Sequence, residues 1–258
     1  ILIITVTILL MRFLKNLTNL IFKSFGFKIS KYQYFIYNQK LIQKNYFIKY
    51  LELSKNNKRN ILNYALDSKS EYAQDLFFLD QVNFKKEGFF VEFGAGDGEF
   101  ASNTYLLEKH FNYKGILCEP CKFFHQELKK NRSCFLSHKA VAEISNLKLN
   151  FVENINPYYS KISDKKTGYQ VETISLIDLL NQYNAPTNFE FLSIDTEGNE
   201  YEIIKSFDFD QFTPKVILIE YNNNKKQKKL ITDLITKNGY LTIAENESDQ
   251  DLWFVRKI

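Results

Sequence analysis

Five carboxylates and one glycine-rich turn are the residues of this sequence whose types and spacing could do chemistry. The run Phe89-Phe90-Val91-Glu92-Phe93 is apolar apart from Glu92, and it breaks into Gly94-Ala95-Gly96-Asp97-Gly98. Glycines at alternate positions let the backbone turn tightly and come close to a ligand with no Cβ in the way. A helix expected to start near Ser102 would direct its free N–H groups at whatever sits on that turn, which suits a carboxylate or a phosphate. Glu119 stands 21 residues beyond Gly98, at the end of the next apolar run. An acidic side chain there can accept both hydroxyl hydrogens of a ribose. Asp195, Glu197 and Glu220 follow two later apolar runs, so all three belong to the same edge of a sheet.

Glycine turn plus acidic residue implies a nucleoside-type cofactor, a signal shared by NAD and S-adenosylmethionine enzymes. A triphosphate is disfavoured, because no Gly-Lys-Ser/Thr follows and Asp97 and Glu99 would repel it. A dinucleotide turn needs its third glycine at position 99, which is Glu, and the acidic turn sits badly beside a pyrophosphate. A cofactor bearing an ammonium and a sulfonium suits it better.

The elements that must position these groups alternate between two periods. A helix carrying Tyr72, Ala73, Leu76, Phe77, Leu79 and Val82 on one side, with Ser70 as its cap, leads into the strand 89–93. Helix 102–111, strand 115–119, helix 122–131 and strand 134–141 follow. Short strands at 147–152 and 171–174 flank a polar loop holding Pro157, Tyr158, Tyr159 and Gly168, which is expected to border a substrate site. Helix 175–182, strand 189–195, helix 201–207, strand 216–221 and helix 225–237 resume the pattern. This alternation predicts parallel strands with right-handed crossovers in a doubly wound α/β sheet. Tyr240 to Ala244 and Leu252 to Val255 read as a closing antiparallel hairpin at the sheet edge.

Ahead of this domain, assigned to 68–258, residues 1–67 read as a helical extension. Ile1 to Leu10 is apolar but too short to cross a bilayer. Met11 reads as a natural start, so the first ten residues are expected to lie upstream of it. From Met11 to Phe27, apolar residues at helical spacing are ringed by Arg12, Lys15, Lys23 and Lys28. That is a basic amphipathic helix, docked on its own domain or in peripheral contact with a membrane.

Composition narrows the class further. The 258 residues are 45% hydrophobic, enough for one full core. The formal charge of +4 is spread along the chain, and the run Lys225 to Lys229 has no interleaved aromatics, so nucleic acid is not an expected partner. Three cysteines do not make a secreted disulfide framework, which points to a reducing, cytoplasmic compartment. Cys118-Glu119-Pro120-Cys121 has the form of a thiol redox pair and is the rival chemistry. His110, His125 and His138 lack metal-ligand spacing, and no metal is expected.

Gly88 to Gly98, Ser102 to Glu108, Gly115 to Pro120, Val171 to Leu176, Leu192 to Glu202 and the closing Asp251 to Val255 together resemble FkbM-type methyltransferases. The resemblance runs from about Ser70, with Gln74-Asp75, to the C-terminal strand. It implies a Rossmann-like class I methyltransferase fold and S-adenosylmethionine-dependent O-methylation, with a sugar hydroxyl of a glycan or glycosylated metabolite as the expected acceptor. A module that binds the cofactor without turnover is the other class. By the resemblance, Glu92, Phe93 and the turn Gly94, Ala95, Gly96, Asp97 and Gly98 hold the methionine portion, with Ser102 and Asn103 donating to its carboxylate. Glu119, beside Pro120, takes the ribose, Ala140 and Val141 flank the adenine, and Asp195 stands beside the methyl group. Many members carry His where this chain has Tyr221, which leaves that side chain a hydrogen-bonding or steric role.

Methyl transfer to an alcohol needs a base for the hydroxyl proton. Asp195 is the first expectation, equally suited to orienting the cofactor's ammonium, with Glu197 and Glu220 as alternatives. Asp249, Asp251 and Trp253 either close over the acceptor or pack within the terminal strand.

Overall fold

Strand β1 (Phe89–Phe93) is buried at all five positions, as a strand must be when both faces of its sheet are covered. The computed structural model describes residues 45–163, 167–244 and 250–257. The expectations for Ile1 to Leu10, for the helix at Met11 to Phe27 and for Asp249 lie outside these residues. The chain divides into two units, Ile1–Asn45 and Tyr46–Ile258. The second holds every strand and helix numbered below.

After a helical run at 45–53 come α1 (Lys58–Tyr64) and α2 (Gln74–Gln81). Helix α2 starts later than the sequence suggests, because Ala73 before it is left-handed. Ser70 still serves it, accepting from the Asp75 N–H and donating to the Asp75 carboxylate at 2.7 Å. Beyond β1 follow α3 (Tyr105–Phe111), β2 (Lys114–Cys118), α4 (His125–Asn131), β3 (Phe135–Ser137) and β4 (Ala140–Val141). Then come β5 (Lys148–Val152), β6 (Lys161–Ile162), β7 (Tyr169–Ile174), α5 (Leu176–Gln182), β8 (Phe191–Ile194) and α6 (Glu200–Lys205). The chain ends with β9 (Val216–Glu220), α7 (Lys225–Lys237), β10 (Tyr240–Ile243) and β11 (Asp251–Arg256).

The main sheet has the order β10-β11-β9-β8-β1-β2-β3. Strands β9, β8, β1, β2 and β3 run parallel, and β11 pairs antiparallel with both β9 and β10. The order steps from β1 outward through β2 to β3, then returns to β8 on the other side of β1. This is the doubly wound, Rossmann-like arrangement, with its switch point between β1 and β8. The expected hairpin is present, with its second strand, β11, lying inside β10 against β9.

Two expectations need correction. The strand expected over 134–141 breaks after Ser137, and Ala140–Val141 leaves the main sheet to pair with β7. A second sheet, β4-β7-β5-β6, results, so the segment read as short strands around a polar loop is a folded layer of its own. The helix expected from Ser102 begins three residues later. Ala101 has φ +58°, and the Ser102 hydroxyl accepts from the Tyr105 N–H at 3.1 Å.

One large core lies on one face of β1 and β8, joining Val91, Leu192 and Ile217 to Leu179, Ile203 and Ile231 on the covering helices. Helix α7 buries Ile231 and Ile235, and its lysines form the solvated face. Trp253 is fully buried, edge-on to Phe77 at 4.7 Å and parallel to Phe191 at 6.3 Å, and Tyr50 joins the same group. Asp251 is buried as well and accepts from Gln74 Nε2 at 2.9 Å. Trp253 is therefore a packing residue rather than a cover for an acceptor. Among the described residues no helix is long and apolar enough to cross a membrane.

Candidate functional site

At the carboxyl ends of β1, β2 and β8 a cavity open to solvent lies over the switch point, where ligands of open α/β sheets bind. Its space is ≈ 590 Å³ when the open solvent at its mouth is included. Phe93, Gly94, Gly96, Glu119, Pro120, Ala140, Val141, Asp195 and Glu197 line it, all singled out by sequence. Cys118, Phe124, Phe151, Pro157, Tyr158, Ser160, Ile162, Thr196 and Asn199 complete the wall.

The turn after β1 is built by its glycines. Gly94 has φ +71°, and a Cβ there would lie 2.2 Å from the Asp195 carbonyl oxygen, so only glycine lets β1 and β8 end this close together. The Gly94 N–H donates to the Cys118 carbonyl at 3.1 Å, holding the turn against β2. Glu119, just past β2, accepts from the Gly96 N–H at 2.8 Å and the Cys121 N–H at 2.7 Å, one to each oxygen. A carboxylate has about four lone-pair sites, so both oxygens can accept again from a diol. Burial pushes Glu119 up to about 7, against those two backbone donors.

Glu92, Ser102 and Asn103 have a different task from the one expected. Glu92 is buried and does not line the cavity. It accepts from the Asn103 N–H at 2.7 Å, from the Ser102 hydroxyl at 3.0 Å and from the Thr104 hydroxyl. The donors assigned to a ligand carboxylate are thus taken by a protein one. Arg132 completes this knot. Its side chain is fully buried, donating from Nε to Glu108 at 2.7 Å and from one terminal nitrogen to the Gly98 carbonyl at 3.0 Å, 3.9 Å from Glu92. Burial raises Glu92, and Arg132 opposes that shift. Asp97 is likewise structural, accepting from the Glu99 and Phe100 N–H groups at 2.9 and 2.8 Å. Ala95 and Gly98 also lie off the cavity wall. Nothing in the sequence marked Arg132, which follows Lys129 and Lys130 at a helix end and folds back under the turn.

The second sheet supplies the apolar end of the cavity. Cys121, Phe124, Ala140, Phe151 and Val171 form a compact cluster with Tyr158 and Ile162 packed on it. Val141 is tied to the far wall by Asn199 Nδ2, which donates to its carbonyl at 3.0 Å. Such a slot accepts a flat apolar ring.

The opposite end is acidic. Asp195, Glu197 and Glu220 each bring a carboxylate oxygen within 4.8 Å of the others, an arrangement that can hold a proton or a cation. Glu220 does not line the cavity but stands behind Asp195, the register of β8 on β9 placing the two side by side. Burial, then the Asp195 charge, pushes Glu220 far above the carboxylate range. Burial also raises Asp195, while its hydrogen bond with Glu220 pulls it down. Glu197 is pushed up to about 7, by burial first and the Asp195 charge second. Glu200 is buried beneath them, accepting from Thr196 and from the Gly198 N–H. Tyr221, 8% exposed, stands off the cavity with Lys228 over its ring at 5.3 Å.

Neither thiol of the Cys118–Cys121 pair is activated. Burial raises both, Cys121 to about 11, and a thiolate is the reactive form.

The family model described as the methyltransferase FkbM domain matches residues 92–242. Among solved structures, the methyltransferase FkbM from Methylobacillus flagellatus KT is 13% identical with a TM-score of 0.45, covering 81% of this chain and 58% of its own. The chain thus spans less than two thirds of that relative. Precorrin-6y C5,15-methyltransferase from Geobacter metallireducens GS-15 is 12% identical with a TM-score of 0.41, over 70% of this chain and 85% of that one. A methyltransferase from Pyrococcus furiosus is 15% identical with a TM-score of 0.38, over 70% and 80%. No curated protein matches the chain.

Proposed function

The chain belongs to the FkbM methyltransferase family, and we propose that it transfers the methyl group of S-adenosylmethionine to a hydroxyl of a sugar, in a glycan or a glycosylated metabolite. The observation that carries this reading is one cavity that joins the Glu119 and glycine-turn end to the Asp195 and Glu197 end. Bound there, the cofactor would supply a methyl group activated by its sulfonium. Glu119 would hold the ribose with its spare lone pairs, and Ala140, Val141 and Phe124 would give the adenine its apolar surroundings. Gly94 and Gly96 would keep the backbone close to the amino acid portion, and Asp195 would orient its ammonium.

Glu197 is the base in this reading. It lines the cavity, and a group near 7 is matched to taking a proton at neutral pH. Asp195, first expected in that role, already accepts a hydrogen bond from Glu220. Glu197 would take the proton of the acceptor hydroxyl as that oxygen displaces sulfur from the methyl carbon, the carbon–sulfur bond breaking to leave neutral S-adenosylhomocysteine.

Thermal shift with S-adenosylhomocysteine against NAD and ATP tests the cofactor, and release of S-adenosylhomocysteine with methyl glycosides tests the reaction. No shift with the first ligand overturns the reading, and binding without turnover on any hydroxylated acceptor leaves a binding module. A cytoplasmic setting and peripheral membrane contact through residues 11–27 belong to the same proposal, and liposome flotation tests the contact.

A further inference from the structure

Glu197 is held in place by two other elements. Its backbone is left-handed, with φ +62°, a conformation that costs any residue with a Cβ and has to be imposed by its surroundings. The buried Glu200 carboxylate of α6 accepts from the Thr196 N–H at 3.1 Å and the Gly198 N–H at 2.8 Å, one residue to either side of Glu197. The second hold comes from the other sheet. Lys161 of β6 reaches across with its Nζ to the Glu197 carbonyl, donating at 3.5 Å. The pairing of Val152 with Lys161 and of Phe151 with Ile162 fixes Lys161 on that sheet, between Ser160 and Ile162 of the cavity wall.

The groups that act on the Glu197 carboxyl are mostly acids. Burial first, and then the Asp195 charge, raises it, with Glu200 and Glu71 adding to the effect. Glu220 and the Tyr159 phenol lie within reach of the Glu197 charge as well. Among the described residues, Lys161 is the cation set against them. An opposite charge favours the ionised form of a carboxyl group, which is the form a base needs.

We propose that Lys161 is a positioning residue for the base, its ammonium stabilising the negative charge of Glu197 while its contact with the Glu197 carbonyl steadies the turn. The proposal rests on the reading of Glu197 as base. It makes the second sheet part of the proton-transfer apparatus as well as a wall of the cavity.

The pH dependence of kcat/KM in the full chain tests this. Lys161→Met removes the charge and keeps an unbranched stem. Its acid limb is expected to move up by about half a pH unit, so that kcat/KM falls about threefold at pH 6 and equals wild type at pH 9. A merely structural loss would lower the rate at every pH. Lys161→Arg keeps the charge and is expected to return the limb to its place. Added salt is expected to narrow the difference between Lys161→Met and wild type, because an exposed cation is screened. Titration of the Glu197 carboxyl by ¹³C NMR, in the glutamate-labelled chain without ligand, is expected to show the same displacement independently of turnover. An unmoved limb or an unmoved titration in Lys161→Met, or an equal loss at all pH values in both variants, overturns the proposal and leaves Glu197 as base. A limb that survives in Glu197→Gln removes the base reading and the proposal with it.

Discussion

Asp195 and Glu220 end neighbouring parallel strands with their carboxyl groups joined by a hydrogen bond, which requires one of the two to carry a proton. Burial first, and then the Asp195 charge, raises Glu220, so Glu220 is the acid and Asp195 the acceptor. A carboxyl group that binds its proton more tightly when folded stabilises fully below its unfolded pKa. That contribution is lost as pH rises toward the folded value. Glu220→Gln retains a donor without titrating, so its Tm is expected to exceed wild type at pH 8 by about 2–4 °C and to match it at pH 4. Equal shifts at both pH values would show that the pair shares no proton.

Glu197 has to be ionised to act as base. With its carboxyl near 7, kcat/KM is expected to rise from pH 6 to a plateau above pH 8. Glu197→Gln is expected to lose about 10²–10⁴ in turnover, with that limb of the profile, while keeping affinity for S-adenosylhomocysteine. Asp195→Asn is expected to weaken that affinity instead. An unchanged profile in Glu197→Gln would move the base to Asp195.

Arg132 links Glu108, the Gly98 carbonyl and Ser102 while fully buried. Its removal strands the Glu92 carboxylate in the interior. Arg132→Ala is expected to cost about 3–5 kcal/mol in urea unfolding, as breaking a buried pair does, and to weaken S-adenosylhomocysteine binding through the turn it braces. Loss of binding with unchanged stability would instead mean direct contact with ligand.

Gly94→Ala puts a methyl group against the Asp195 backbone in a left-handed conformation. Unlike a clash with a side-chain tip, this one cannot be relieved locally. Stability is expected to fall by at least about 1–3 kcal/mol with loss of cofactor binding. A variant with full affinity would show that β1 and β8 can separate at this end.

The thiols offer a direct check on the rival chemistry. Cys118→Ala with Cys121→Ala is expected to keep methyl transfer within about twofold, and native protein is expected to resist alkylation at pH 8, because burial holds both thiols protonated. Rapid alkylation with loss of a dithiol-dependent activity would revive the redox reading.

Much of this was legible in the chain itself. Strands that are apolar at most positions, helices at a 3.6 period and glycines spaced for a turn are local signals, so β1, its turn, Glu119 and the acids at the ends of β8 and β9 could be placed without coordinates. The parallel order follows from alternation, since parallel strands need crossovers. Tertiary structure alone decided which carboxylates face the cavity. Glu92 and Glu119 both stand near strand ends, yet Glu92 is held inside beside Arg132, 40 residues away in sequence, and Glu119 is left lining the cavity. The split of 134–141 and the Tyr158 ring over Gly96 likewise depend on where a second sheet docks. Such contacts join segments that no local period relates, so only packing of the whole chain fixes them.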